Sequence, residues 1–408
     1  MLFKEWFYLA VVIITIIGVA VGRFPVFRMN RATIALVGAA LLISAGAISM
    51  DEAYRAIDIN TIVLLFSMMV INVNLRLCGF FKLLANRILQ LAKTPGQLLW
   101  LIVFASGFLS AFFLNDTVVI MFTPLLTDLL LALKRKPIPY LIALATAANV
   151  GSAATIVGNP QNMIVGVLSQ IPFVEFSLAL APPALLGLLV VFVLVKIIYP
   201  AEFKKQSITP FTEIEVHVFK PLLYKSMVAL FLMVTAFFAG VPVTLAAFAA
   251  AALLLFTRRI KPERVFIELD WSLLVFFACL FIVTDVLSSY LLNSSRHLIP
   301  QPASDKALFE WVAVAVVLSN LISNVPAVMV LSPIIKSMVD PERLWLLLAL
   351  STTFAGNLTL LGSVANLIVA ELARKRGVHL CFNEYLKVGV PVTMITTSIG
   401  ALWIYFFI

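Results

Sequence analysis

Charge is what this 408-residue sequence has least of. Lys and Arg number 29 and Asp and Glu 20, together 12% of the chain, about half the share of an average soluble protein. So few charges cannot coat a globule in which 62% of residues are apolar and the mean hydropathy is +1.08, so a soluble fold is excluded. Cysteine is almost as scarce. Cys78, Cys279 and Cys381 stand alone with no C-x-x-C pair, which excludes a disulfide framework or cysteine metal site and leaves them as packing residues. The three histidines, His217, His297 and His379, fall in loops. H-E-x-x-H, G-x-S-x-G and a P-loop are all missing, and the aspartates Asp116 and Asp285 lack the sequence contexts of an intramembrane aspartyl pair, so the chain reads as no enzyme. Nor does the net charge of +9 come with an RNP-like, zinc-finger or basic-stripe pattern, and nucleic acid is not an expected partner.

What is present is long apolar blocks, over roughly 5–22, 32–49, 58–75, 97–133, 140–168, 178–199, 224–239, 243–257, 271–289, 307–338, 344–372 and 389–408. At about 20 residues per span these describe an all-α polytopic membrane protein whose solvent is lipid. Met1 to Gly22 has no A-x-A cleavage pattern and is followed by many further spans, so it reads as the first membrane helix. Basic residues in short loops set the orientation. Arg23, Arg28 and Arg31 mark the first connection as cytoplasmic, whereas Asp51, Glu52 and Asp58 mark the next as external. Lys134–Lys136, Arg258, Arg259, Lys261, Arg264 and Arg374–Arg376 agree with this path, which places both chain termini outside the cytoplasmic (inner) membrane. Between Arg76 and Lys93, basic residues alternate with Leu, Phe and Ile at helical spacing, as in an amphipathic helix on the cytoplasmic face.

Two blocks are too long for one span and too short for two ordinary ones. Block 97–133 is interrupted by Asn115, Asp116 and Thr117, and block 307–338 by Ser323, Asn324, Val325 and Pro326. Each is either a pair of short spans or a re-entrant hairpin whose tip stops in mid-membrane; with the latter, the count is about ten crossings plus two hairpins. The blocks also match each other. Asn115 aligns with Asn324 and Pro124 with Pro333, both 209 positions apart. Downstream, T-I-V-G-N-P-Q-N-M-I-V aligns with T-L-L-G-S-V-A-N-L-I-V, pairing Gly158 with Gly362 and Asn162 with Asn366 at 204 positions, and Glu175/Glu384 and Pro182/Pro391 return to 209. Leu and Val align with anything, but ordered matches of Asn, Gly, Pro and Glu do not arise that way.

Residues 58–199 begin outside and residues 270–408 begin inside, so the two repeats are inverted, an arrangement typical of secondary transporters with a site near the midplane. Residues 1–57 and 200–269 are expected to serve as scaffold and linker. Irregular backbone at that depth must line a cavity or be satisfied by protein. Asn115, Asp116 and Thr117 at one tip and Ser323 and Asn324 at the other can offer side-chain oxygens and free N–H groups. The break at Gly158, Asn159, Pro160, Gln161 and Asn162 is expected from a proline without an N–H and a glycine free to take positive φ. Gly356, Asn357, Thr359, Gly362, Ser363 and Asn366 offer its counterpart. Asp116 is the sharpest residue, since an ionised carboxylate at the bilayer centre costs about 2.5–3.5 kcal/mol and calls for a cation, a proton or a polar partner; its counterpart is Val325. Asp285 lies near the external end of its span, opposite Asn72 and Asn74. Arg and Lys fall at loop positions, leaving no arginine clamp in the motifs.

At these residues the chain resembles the ion transporter superfamily. F-L-N-D-T-V-V-I-M-F-T-P-L with I-S-N-V-P-A-V-M-V-L-S-P-I, and G-S-A-A-T-I-V-G-N-P-Q-N with L-G-S-V-A-N-L-I-V, look like the paired motifs of citrate-transporter-like anion permeases and arsenite permeases, nearest to a small bacterial inner-membrane branch. The resemblance implies re-entrant hairpins, a homodimer held by scaffold helices, and elevator-like movement of a transport domain. It also implies that Asn115, Asp116, Thr117, Gly158, Asn159 and Asn162 form one half-site and Ser323, Asn324, Gly362 and Asn366 the other; Pro160 and Ser363, from the two breaks, are expected to join them in binding. The expected ligands are a small anionic solute and a coupling cation, Na⁺ or H⁺ at Asp116, in contact with membrane lipid and with no other cofactor. A sodium/proton antiporter of the same superfamily is the alternative; a channel or an intramembrane enzyme is less favoured.

Overall fold

The computed structural model describes residues 2–22, 28–204, 218–256, 261–294, 305–338 and 341–408. Arg23, His217, Arg258, Arg259 and His297, used above as orientation or exclusion marks, lie outside the described residues. The first half runs α1 (Leu2–Val21), α2 (Arg31–Ser44), α3 (Met50–Ala56), α4 (Ile59–Leu77), α5 (Phe80–Leu91), α6 (Pro95–Phe112), α7 (Asn115–Ala132), α8 (Pro137–Ser152), α9 (Pro160–Ser169) and α10 (Phe173–Ile198). A short α11 (Pro200–Phe203) follows. The second half runs α12 (Lys220–Phe238), α13 (Val243–Leu255), α14 (Pro262–Ile267), α15 (Trp271–Ser294), α16 (Asp305–Ile322), α17 (Asn324–Lys336), α18 (Glu342–Ala355), α19 (Val364–Arg374) and α20 (Phe382–Phe407). No strand occurs among the described residues.

Among those residues, eight helices are long and apolar enough to cross a membrane: α1, α4, α6, α7, α10, α12, α15 and α20. The helices α2 and α13, expected as crossings, have 14 and 13 residues; at 1.5 Å per residue they span about 20 Å, short of a hydrocarbon core of about 30 Å. The amphipathic segment after Arg76 is α5, which buries Phe81, Ala85 and Ile88 and exposes Lys82 and Arg87.

Helix starts follow local chemistry. The Asn30 side chain accepts the Thr33 N–H at 2.9 Å to begin α2. Ser49 and Glu52 cap α3 reciprocally, and Thr94 followed by Pro95 begins α6, a position where the missing proline N–H costs nothing. Two helices form the centre. Every residue of α8 from Pro139 to Ser152 and of α18 from Leu344 to Ala355 is buried. Small residues allow this density. A Cβ added at Gly151 of α8 would lie 2.1 Å from the Gly107 carbonyl oxygen of α6, so these two backbones touch, as small residues permit between membrane helices.

Packing relates the halves in a reciprocal way. The helix α2 packs on α15 and α13 on α4; α6 packs on α8 and α16 on α18; α7 packs on α19 and α17 on α9; and α10 packs along α20. Outer faces remain apolar, with Phe7, Ile14, Phe231, Leu232 and Phe248 exposed, which is lipid-facing surface in a membrane protein. Ion pairs sit at helix ends. Arg376 holds Asp128 at 2.7 Å, tying the α7 terminus to the turn after α19, and Arg76 pairs with Glu268.

One pair is buried. Arg135, in the turn between α7 and α8, lies 3.4 Å from Glu202 of α11, and both side chains are about 5% exposed. The Tyr140 hydroxyl donates to the same carboxylate at 3.4 Å. Breaking a buried ion pair by removing one partner costs about 3–5 kcal/mol. Glu202→Ala is therefore expected to lower the unfolding midpoint in detergent, whereas Arg76→Ala, at a half-exposed pair, is expected to shift it by less than about 1 kcal/mol. Equal shifts for the two would show that burial does not control the cost.

Candidate functional site

Four helix starts converge. The segments α6 and α7 meet at Phe113–Leu114, α16 and α17 at Ser323, α8 and α9 across 153–159, and α18 and α19 across 356–363. The beginnings of α7, α9, α17 and α19 wall a single cavity of about 460 Å³ through Asn115, Asp116, Pro160, Gln161, Ser323, Asn324, Val325, Pro326, Ser363 and Val364. The starts of α2 and α15, with Asn30, Arg31, Asp270 and Ser272, and the end of α1 at Val21 and Gly22 complete it. Each start leaves N–H groups without intrahelical partners, and the positive ends of the helix dipoles face the same space.

Of the twelve residues expected to form the site, six line this cavity, Asn115, Asp116, Pro160, Ser323, Asn324 and Ser363, and Gln161, named at the first break, lines it too. The other six, Thr117, Gly158, Asn159, Asn162, Gly362 and Asn366, are not in its wall. Asn159, Asn162 and Asn366 are fully buried and hold the breaks together. The Asn162 amide donates to the carbonyls of Ser152, Ala153 and Thr155 at 3.3, 3.3 and 3.0 Å. The Asn366 amide donates to Gly356 and Thr359 at 2.8 and 3.2 Å. Carbonyls released by the unwound helix are thus satisfied by a side chain, the requirement for irregular backbone at membrane depth.

The expected reason for Gly158 needs correction. Its φ is not positive; positive φ belongs to Gly22, Gly46, Gly79, Gly240 and Gly377 among the glycines. Glycine is needed there for space, because a Cβ would lie 2.3 Å from the Ser152 oxygen and 2.7 Å from the Ser110 oxygen, both backbone atoms. Its carbonyl also accepts the Asn115 N–H at 3.1 Å, joining the α8–α9 break to the first tip. Gly158→Ala is accordingly expected to yield little folded protein, measured as the monodisperse fraction after solubilisation, whereas Gly96→Ala, in open space, is expected to leave that fraction unchanged. Pro160, in turn, begins α9 and does not break a continuing helix.

Backbone strain lies at the second tip, where Ser323 has φ 78° and ψ 157°, a region occupied almost only by glycine at a cost of about 1–3 kcal/mol. Asn324 beside it accepts the Ser319 hydroxyl at 2.7 Å.

Two residues that the motifs did not reveal link the halves. Asn149 of α8 donates to Asn357 and Asn366 Oδ1 at 2.9 and 3.0 Å, and accepts from Asn115 and Ser363 at 3.0 and 3.1 Å. Thr353 of α18, 204 positions later, donates to Asn162 Oδ1 at 3.2 Å and accepts from Asn159 and Gln161, each at 3.3 Å. The signal was available as a lone Asn in A-T-A-A-N-V-G-S opposite a Thr in S-T-T-F-A-G. Arg31 and Asp270 are further omissions: Arg31, read from sequence as a loop cation, is the first residue of α2, and both line the cavity. Asp285 is exposed on α15 and does not line it.

The model of the citrate transporter family matches residues 10–350. The silicon efflux transporter LSI3 of Oryza sativa subsp. japonica is 29% identical over 449 residues, covering 92% of each chain. The putative transporter arsB of Dictyostelium discoideum is 25% identical, covering 97% of this chain and 92% of that one. Among solved structures, the Alcanivorax borkumensis YdaH transporter, whose crystal structure is described as revealing an unusual topology, superposes with a TM-score of 0.59 at 11% identity, over 98% of this chain and 97% of that one; this is a likeness of fold. The relatives are transporters, the helices are those of an integral multi-pass membrane protein, and the family match runs through residues 115, 158 and 324: the chain belongs to the citrate transporter family.

Proposed function

We propose that the chain is a secondary active transporter that moves a small anion or oxyanion, an organic carboxylate or an arsenite-like species, across the cytoplasmic membrane, coupled to Na⁺ or H⁺. The observation that carries this reading is the convergence of four helix starts from both halves on one cavity. Oriented N–H groups and dipole ends bind anionic oxygens without a fixed positive charge. The names of the relatives, a silicon efflux transporter and a putative arsB transporter, are in keeping with a small oxygen-rich solute.

The halves are read as inverted repeats and each broken block as a re-entrant hairpin. Support comes from the reciprocal bonds. Asn149 meets Ser363 and Asn366 just as Thr353 meets Asn159 and Asn162, and each of these pairs is related by 204 positions. The equivalence extends past the repeat bounds taken from sequence, because α1–α2 and α12–α13 occupy reciprocal places against α15 and α4. Under the basic-loop orientation, the starts of α2 and α15 are cytoplasmic, so the cavity is that of an inward-facing state. Elevator movement and a homodimer follow from the superfamily resemblance, with α1, α2, α12 and α13 as scaffold.

A second reading, sodium/proton antiport, draws on the two carboxylates Asp116 and Asp270 that share the cavity with one guanidinium. Purified protein in proteoliposomes, offered arsenite, silicic acid, citrate, succinate, sulfate and phosphate with and without a Na⁺ or H⁺ gradient, separates the two. Uphill accumulation of a solute supports the first reading; Na⁺/H⁺ exchange with no solute moved supports the second; and passive leak alone overturns both.

A further inference from the structure

We infer that Arg31 is a solute-positioning residue that reaches from the scaffold into the cavity and holds the solute against Asp116, which sits at the tip of the opposing helix. This rests on the transporter reading and adds to it a residue that no sequence motif supplied. Arg31 is the one cationic side chain in the cavity wall among the described residues. It is the first residue of α2, directly after the cap formed by Asn30 and Thr33, so its backbone is fixed. Its guanidinium lies over Gly22, where an added Cβ would be 3.2 Å from Nε and 3.6 Å from an Nη; the bare glycine at the end of α1 leaves the channel through which the side chain enters.

Across the cavity, the Asp116 carboxylate is within electrostatic reach of Arg31 and of Asp270. Yet neither the Arg31 guanidinium nor the Asp116 carboxylate has a hydrogen bond or ion pair among the described residues. A guanidinium carries five donors and a carboxylate four acceptor sites, and both half-buried side chains present theirs to the cavity rather than to the protein. Asp270 does not fill the gap: no ion pair joins it to Arg31 among the described residues, and its carboxylate accepts the Leu273 N–H at 3.1 Å at the start of α15. The group that completes both residues must accept from Arg31 and donate to Asp116. An oxyacid or hydroxy acid with at least one anionic oxygen and one hydroxyl has that chemistry while Asp116 is ionised.

The two residues belong to different packing groups. The helix α2 contacts α1 and α15, whereas α7 contacts α5, α6, α8 and α19. A solute held between them therefore bridges the groups, and is released from Arg31 when they move apart.

Two measurements test this. In the proteoliposome assay above, Arg31→Gln is expected to raise KM for the accumulated solute at least tenfold with Vmax within about twofold, and Arg31→Lys to recover part of the loss, because a point charge lacks the planar fork. A wild-type KM in Arg31→Gln, alongside normal wild-type accumulation, overturns the inference and leaves the transport reading standing; no accumulation by the wild type overturns the transport reading and this inference with it. The second measurement needs no transported solute. In a Cys381→Ser background, Arg31→Cys is labelled with a cationic or an anionic methanethiosulfonate. The cationic reagent is expected to react several-fold faster, and Asp116→Asn to reduce that preference, Asp270 remaining in the wall. Equal rates with Asp116 intact overturn the juxtaposition on which the inference depends.

Discussion

An Asp116→Asn protein is expected to insert and fold normally but to lose the response of solute accumulation to the cation gradient, by about 5- to 150-fold, the usual range of a coupling free energy of about 1–3 kcal/mol. Asparagine keeps the size of the side chain and a polar group at the second residue of α7, so the tip geometry, set by the Asn115 N–H bond to Gly158 and the Asn115 bond to Asn149, is retained. What is lost is the negative charge that a proton or Na⁺ would neutralise. The variant is also expected to be at least as heat-stable as the wild type. Its compensation, the favourable placement of an acid in the first turn of a helix, is about 0.3–1 kcal/mol and smaller than the cost of a carboxylate at membrane depth, about 2.5–3.5 kcal/mol. Uptake measured in proteoliposomes with the solute gradient fixed and the pH or Na⁺ gradient varied decides it: an undiminished response in Asp116→Asn removes Asp116 from the coupling step.

The breaks could be read from the sequence because each needs unusual residues. Asn115, Asn324, Gly158 and Pro160 stand out against Leu and Val, and their spacing recurs. The element types followed from long apolar runs, and the outline of the fold with them. Other features depend on three-dimensional neighbours. Arg31 stands at the edge of an apolar block beside Arg28, where charge patterning cannot distinguish a loop cation from one whose side chain turns back over Gly22. Gly158 was legible as a glycine that matters, but not for its reason, because close approach of the Ser152 and Ser110 carbonyls leaves no trace in local sequence. Likewise, Thr117 is adjacent to two wall residues yet outside the wall, since successive residues at a helix start are rotated by about 100°. The packing of α1 and α2 on α15 and of α12 and α13 on α4 was hidden, because apolar helices without breaks have no distinctive residues to align.

A large loss of stability is expected from Asn149→Ala, in a protein that still folds. Asn149 makes four side-chain hydrogen bonds, to Asn115, Asn357, Ser363 and Asn366, and these join the first tip to the second break. Interhelical hydrogen bonds in membrane proteins average about 0.6 kcal/mol and reach about 1.7, so four together give about 2–7 kcal/mol. The upper part of that range applies, because truncation leaves the Asn357 and Asn366 oxygens, 0% exposed, without the donor they share, and unsatisfied buried groups cost about 1–3 kcal/mol each. Thr353→Ala removes three bonds and leaves one buried acceptor, Asn162 Oδ1, without its donor, against two for Asn149→Ala, so its loss is expected to be smaller. The decisive comparison is Asn149→Thr. If the two halves share one architecture, the residue that serves in α18 serves in part in α8: threonine can accept from Ser363 and donate to Asn366, as Thr353 accepts from Asn159 and donates to Asn162. Unfolding midpoints in detergent are expected to fall in the order wild type, Thr353→Ala, Asn149→Thr, Asn149→Ala. An Asn149→Thr protein no more stable than Asn149→Ala would mean that the reciprocal bonds are coincidental, and the inverted-repeat reading would lose its structural support.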